Sequence, residues 1–81
     1  SIHCPWEQKG KVMRTLITHN SNNMIELLDG IKIMLHNGWV LVIPDADLPL
    51  CRIYSEGESQ EAADNISKEY LEKIRKIIDE A

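Results

Sequence analysis

The chain has little cysteine, no long apolar run and no surplus of positive charge, and each shortage removes a class of protein. Cys4 and Cys51 are the only cysteines among 81 residues, too few for a disulfide scaffold. They could pair once, but two free thiols are expected in a cytoplasmic chain. Neither lies at a close metal-ligand spacing, so no structural zinc is expected. The longest unbroken apolar run, Trp39–Pro44, falls far short of the roughly 20 residues that span a bilayer. The N-terminus SIHCPWEQKGK has no apolar core of a signal peptide, so a cytoplasmic location and no membrane partner are expected. Nine Lys and Arg against 13 Asp and Glu leave a formal charge of −4, which argues against nucleic acid as a partner.

Chemical motifs are equally sparse. No GxGxxG, GxxxxGK[ST] or GxSxG occurs. Ser55 and Ser59 have no adjacent base, so no self-contained nucleophile site is expected. His3, His19 and His36 lie far apart at no ligand spacing, and exposure is expected for all three. A chain of this length holds one core and leaves little room for a deep cleft. It buries only about 60% of the surface its unfolded form exposes.

What is present is a clear order of elements. Residues 5–18 read as a helix: Pro5 suits its first position, Glu7 its positive end, and Trp6, Met13, Leu16 and Ile17 form an apolar face. Gly10 within that pattern costs about 1 kcal/mol relative to Ala and suggests close packing. The polar run His19–Asn23 ends the helix. Strands are expected over 24–28, 31–36 and 39–44, separated by Asp29-Gly30 and Asn37-Gly38, both signals for two-residue hairpin turns. A fourth strand covers 50–56. A helix over 59–80 follows, with Ser59 as its cap and Ala63, Ile66, Tyr70, Ile74, Ile77 and Ile78 as its apolar stripe. The expected fold is α+β, in the order α-β-β-β-β-α: a four-stranded antiparallel sheet with helices on one face, all in a single domain 1–81.

Two-residue turns would set Leu28 opposite Ile31 and His36 opposite Trp39. Met24, Glu26, Leu28, Ile31, Ile33, Leu35, Val40 and Val42 then share one face, the expected core. Ile25, Leu27, Lys32, Met34, His36, Trp39, Leu41 and Ile43 share the other, which is more apolar than water requires. Either this chain covers that face or a partner does.

One connection is chemically unusual. In Ile43–Arg52, two aspartates and two prolines interrupt the ladder, with an arginine close by. Three readings are open: a turn in which Arg52 pairs with an aspartate, a ligand loop, or a weak divalent-cation site.

Taken with its neighbours, this loop carries a resemblance. Leu28-Asp29-Gly30-Ile31-Lys32-Ile33, Asn37-Gly38-Trp39-Val40-Leu41-Val42-Ile43-Pro44 and Pro49-Leu50-Cys51-Arg52-Ile53-Tyr54-Ser55-Glu56 follow one another. Together they resemble the C-terminal, fourth domain of the α-D-phosphohexomutases, the phosphoglucomutase/phosphomannomutase enzymes. Those enzymes carry a D-G hairpin and then D-G-W-x-L-x-R-P-S-x-T-E-P-x-x-R-x-Y-x-E. The resemblance covers about residues 24–80. It implies a small α+β unit that closes over a cleft and grips the phosphate of a sugar phosphate. Catalytic serine, Mg2+ loop and sugar-recognition loop would belong to preceding domains, which would be this chain's partners. No catalytic residue, metal or cofactor is then expected here.

The phosphate-loop positions are Ile43, Pro44, Asp45, Ala46, Asp47 and Arg52. Ile43 stands where the pattern has arginine, Asp45 where it has serine, Asp47 where it has threonine and Leu48 where it has glutamate. Pro44, Pro49 and Arg52 match. A guanidinium and two hydroxyls are thus exchanged for apolar and acidic groups, and the expected phosphate site is degenerate. The start Cys4–Arg14 is similar to a subgroup in which a sugar-phosphate nucleotidyltransferase is fused to a phosphomannomutase-like region. These are described as mannose-1-phosphate guanylyltransferases, which implies mannose phosphates and GDP-mannose. The alternatives are a structural or regulatory domain of such a nucleotidyltransferase, or a free-standing interaction module.

Overall fold

The expected helix, run of strands and second helix are all present, with one further strand in front. The computed structural model describes residues 1–27 and 29–80. In chain order the elements are β1 (Ile2–His3), α1 (Trp6–His19), β2 (Ile25–Leu27), β3 (Ile31–Leu35), β4 (Gly38–Pro44), β5 (Leu50–Gly57) and α2 (Gln60–Asp79). The strands form one antiparallel sheet in the order β1-β5-β4-β3-β2. The sheet therefore has five strands, not four. Ile2 pairs with Cys51 and His3 with Leu50. Two residues carry no periodicity for a pattern to register, so β1 exists only because the edge of β5 is there to receive it.

Both hairpins differ in register from the expectation. Leu35 pairs with Gly38, so the second turn is His36-Asn37, one residue earlier than Asn37-Gly38. Faces are unaffected, because each partner shifts by two residues. Leu27 pairs with Ile31, so the first connection is one residue longer than the expected two. The expected pairing of Leu28 with Ile31 falls on a residue outside those described. The extra residue turns β2 over: Ile25 and Leu27, not Met24 and Glu26, share a face with Ile31 and Ile33. Asp29 adopts a left-handed φ of 61° in this turn. Gly30 lies so close to β4 that a Cβ there would stand 3.0 Å from Ile43 Cγ1.

Both helices pack on one face of the sheet. Val12 and Leu16 from α1, Ile31, Ile33, Val40, Val42 and Cys51 from the sheet, and Ile66, Tyr70, Ile74 and Ile77 from α2 share one buried core with Cys4. The α2 stripe is as expected, and Glu61, Asp64, Lys68, Glu72, Arg75, Lys76 and Asp79 are all exposed. The Ser59 side chain accepts a hydrogen bond from the Ala62 amide, as a cap should. In α1 the inward stripe is Lys9, Val12 and Leu16, while Trp6 and Ile17 are exposed. Pro5 is the cap rather than the first helical residue. Gly10 is exposed and its nearest foreign atom is on the Arg14 side chain, so it marks no close packing.

Candidate functional site

The site lies at the end of the sheet where β4 runs into β5. Pro44 closes β4 opposite Cys51, two residues beyond the last β3 partner at Val42. Its missing N–H therefore deprives β3 of nothing. Residues 45–49 then leave the ladder. The Asp45 amide donates to Leu50 O (2.9 Å) and the Leu50 amide to Leu48 O (2.8 Å), which makes the connection a tight, closed loop.

The Asp45 carboxylate sits at the centre of that loop. Oδ1 accepts the amides of Asp47 and Leu48, each at 2.8 Å. Oδ2 accepts Arg52 Nε at 3.2 Å and Nη2 at 3.0 Å. The Asp45 side chain is only 14% exposed, against 45% for Arg52. The Asp47 amide, then the Leu48 amide and the Arg52 guanidinium hold the Asp45 carboxyl below the usual carboxylate range. Arg52 stands directly across the strands from Ile43. Of the expected positions, Asp45 and Arg52 are thus in direct contact. Ile43 flanks Arg52 on the sheet, and Ala46 and Asp47 are exposed at the tip.

Beneath the loop is a residue the sequence reading passed over. Lys9, on α1, is 92% buried, being 8% exposed. Its Nζ donates to the carbonyl oxygens of Asp45 and of Leu48, the latter at 2.7 Å. The ammonium also lies 3.6 Å from the centroid of the Trp6 ring. A lysine on a helix reads as solvated in any hydropathy pattern. Its only sequence signal is position: Lys9 falls three residues before Val12 and seven before Leu16, on their stripe. The Cys4 amide ties the N-terminal segment to the same loop through Pro49 O at 2.8 Å.

The thiols of Cys4 and Cys51 are both free and both fully buried. Burial, reinforced by the neighbouring Cys4 thiol, pushes Cys51 up to about 12. A thiol held neutral in this way is a packing group and not a nucleophile. His3, His19 and His36 are exposed as expected. Ser55 donates to Ala63 O at 2.7 Å and contacts Ser67 Oγ, binding β5 to α2.

The cation reading of the loop does not fit this geometry. Both Asp45 oxygens already accept N–H donors. Among the described residues no group of three or more His, Cys, Asp or Glu side chains converges. Nor, among those residues, is any helix long and apolar enough to cross a membrane.

These features define a two-layer α+β domain whose distinguishing feature is a loop in which the Asp45 carboxylate is held between a guanidinium and two backbone amides. No family model matches the chain. Curated relatives do. The chain is 37% identical over 82 residues to a probable phosphoglucosamine mutase of Methanopyrus kandleri, a match that takes in 99% of this chain and 18% of that protein. It is 44% identical over 57 residues to a phosphoglucomutase/phosphomannomutase of Thermococcus kodakarensis, covering 70% of this chain and 12% of the relative. A phosphoglucosamine mutase of Methanocaldococcus jannaschii is 35% identical over 83 residues, 99% of this chain and 18% of its own length. The homologues are phosphohexomutases, two of which match 99% of this short chain, consistent with a C-terminal domain of that superfamily. The chain spans under a fifth of their length.

Proposed function

We propose that this chain is the cleft-closing domain of a protein that handles hexose phosphates, with the Ile43–Arg52 loop set against the phosphate. The observation that carries this reading is the loop's donor set: Arg52 and the amides of Asp47 and Leu48 converge on one carboxylate, that of Asp45, as they would on an oxyanion. The full-length similarity to phosphohexomutases supports it. Catalytic nucleophile and Mg2+ would then come from other parts of the parent protein, which would be the domain's partners in the cytoplasm.

In that reading the loop is degenerate. Ile43 replaces a guanidinium, and Asp45 and Asp47 replace hydroxyls. Two like charges about 5 Å apart repel by on the order of 1 kcal/mol in water and by more where water is excluded. A phosphate dianion would meet that repulsion from each carboxylate, so its binding by this loop is weak. The resemblance of Cys4–Arg14 favours mannose phosphates and a guanylyltransferase or mutase parent. The phosphoglucosamine mutases among the relatives favour an amino-sugar phosphate instead, and the phosphoglucomutase/phosphomannomutase an unmodified hexose phosphate. A purely structural role draws support from the sheet face opposite the helices. Trp39, Leu41 and Ile43 are there only partly buried, and Tyr54 is 49% exposed.

Expression of the whole reading frame that contains Ser1–Ala81 tests the proposal. The assay would use the 1- and 6-phosphates of mannose and of glucosamine, with GTP as an optional co-substrate. Removing this domain is expected to raise the KM for hexose phosphate by about tenfold or more. A parent that acts on no hexose phosphate, or whose KM ignores the domain, overturns it. Ile43→Arg, Asp45→Ser and Asp47→Thr together are expected to lower that KM.

A further inference from the structure

We propose that the Asp45 carboxylate is a built-in anion that occupies the loop's own anion position and keeps external phosphate out. This rests on reading Ile43–Arg52 as a phosphate loop and adds how that loop is regulated. Four N–H groups converge on the two Asp45 oxygens: the Asp47 and Leu48 amides on Oδ1, and Nε and Nη2 of Arg52 on Oδ2. Consecutive amides plus a side-on guanidinium form a general oxyanion receptor, and here its guest is covalently attached.

The second observation is the charge below. Lys9 is buried, and its ammonium is satisfied by the carbonyls of Asp45 and Leu48 and by the Trp6 face, not by a carboxylate. Lys9 and Arg52 therefore bring two positive charges to the loop, and Asp45 and the exposed Asp47 bring two negative ones. Taking the Asp45 carboxylate away leaves one net positive charge and two freed amides around a hole of one carboxylate's size. A tethered group already seated on those donors outcompetes free ligand below its effective concentration, which is millimolar or higher for short tethers. Wild-type loop is then closed to millimolar phosphate, and a serine at position 45, too short to reach both sets of donors, opens it.

The test is an NMR titration of the 81-residue chain with inorganic phosphate at neutral pH, on wild type, Asp45→Ser, Asp45→Asn and Asp45→Ser with Arg52→Ala. Asp45→Asn removes the charge but retains an acceptor for the two amides, so it separates freeing those donors from merely neutralising the loop. The expected result is saturable shifts of the Asp47 and Leu48 amides and of Arg52 Nε in Asp45→Ser, with Asp45→Asn close to wild type. Apparent affinity of Asp45→Ser should be at least about tenfold above wild type and lost in the double variant. Equal affinity in wild type and Asp45→Ser overturns the proposal. So does absence of binding by Asp45→Ser when its spectrum shows the wild-type fold, or binding by Asp45→Asn as tight as by Asp45→Ser. The parent's substrate is judged separately, by the hexose-phosphate assay. Phosphate binding opened by Asp45→Ser, with no hexose-phosphate activity in the parent, would retain the internal anion and remove only the sugar reading.

Discussion

Lys9 reaches from α1 to the backbone of a loop 36 residues away and donates to Asp45 O and, 39 residues away, to Leu48 O. One buried ammonium thus provides a partner for Asp45 O and a second donor to Leu48 O, which also accepts the Leu50 amide. Lys9→Met retains the stem and removes the donors. Since hydrogen bonds from charged groups are worth about 1.5–3 kcal/mol, the variant is expected to lose about 2 kcal/mol. For a domain of this size that corresponds to a Tm lower by about 10 °C. Thermal unfolding checks it, and an unchanged Tm would show that the clamp contributes nothing.

Acid should act through Asp45. Its carboxyl titrates below the ordinary 3.8 because amides and a guanidinium stabilise the charged form. The contribution to stability is thus present above the unfolded value and is lost as pH falls through the lower folded value. Urea unfolding followed below pH 3.8 is expected to show a steeper acid loss in wild type than in Asp45→Asn. Parallel curves for the two proteins would refute this assignment.

Alkali should act through Cys51, with Tyr70 adding to it. An unfolded thiol loses its proton near 9.0, whereas the buried Cys51 retains it up to about 12. Stability is therefore intact below pH 9.0 and declines as pH rises towards about 12, by up to about 1.4 kcal/mol per pH unit for one proton. Burial likewise raises Tyr70 above 10.0, although its hydroxyl donates to Asn20 Oδ1 at 3.1 Å. Denaturant unfolding of Cys51→Ala should show a shallower decline just above pH 9.0 than wild type. A slope identical to wild type would place the alkaline sensitivity elsewhere.

Gly38 opens β4 at a φ of 153°, and a Cβ there would stand 2.8 Å from Gly57 Cα. Gly38→Ala must therefore strain its backbone and push β5 away from β4. The expected cost is about 3 kcal/mol, from a disfavoured dihedral and an overpacked strand pair together. Chemical denaturation measures it; a cost below about 1 kcal/mol would mean the strands separate there more easily than their pairing implies.

Much of the fold was legible in the sequence because period and turn chemistry are local. The α2 stripe, the Ser59 cap and the strand runs all follow from residues within a few positions of each other. The first turn shows where that reasoning stops. Asp29-Gly30 marks a hairpin, but one added residue turned β2 over, and the packing of Ile25 on the core goes with that register. Asp45 and Arg52 were legible as a pair because seven residues separate them across one loop. Lys9 was not, since nothing near it in sequence shows that a loop in residues 45–49 will need its donors.

By itself the sequence determined an α+β layering, the stripe that α2 buries and the loop where charged groups gather, because each depends on neighbours along the chain. Tertiary structure alone decided that Ile2–His3 becomes a strand, that Lys9 is buried and that the Asp45 carboxylate is enclosed by donors. A two-residue strand and a buried lysine have no preference of their own for those states. They adopt them because β5 offers an open edge and the loop offers the carbonyls of Asp45 and Leu48 as acceptors.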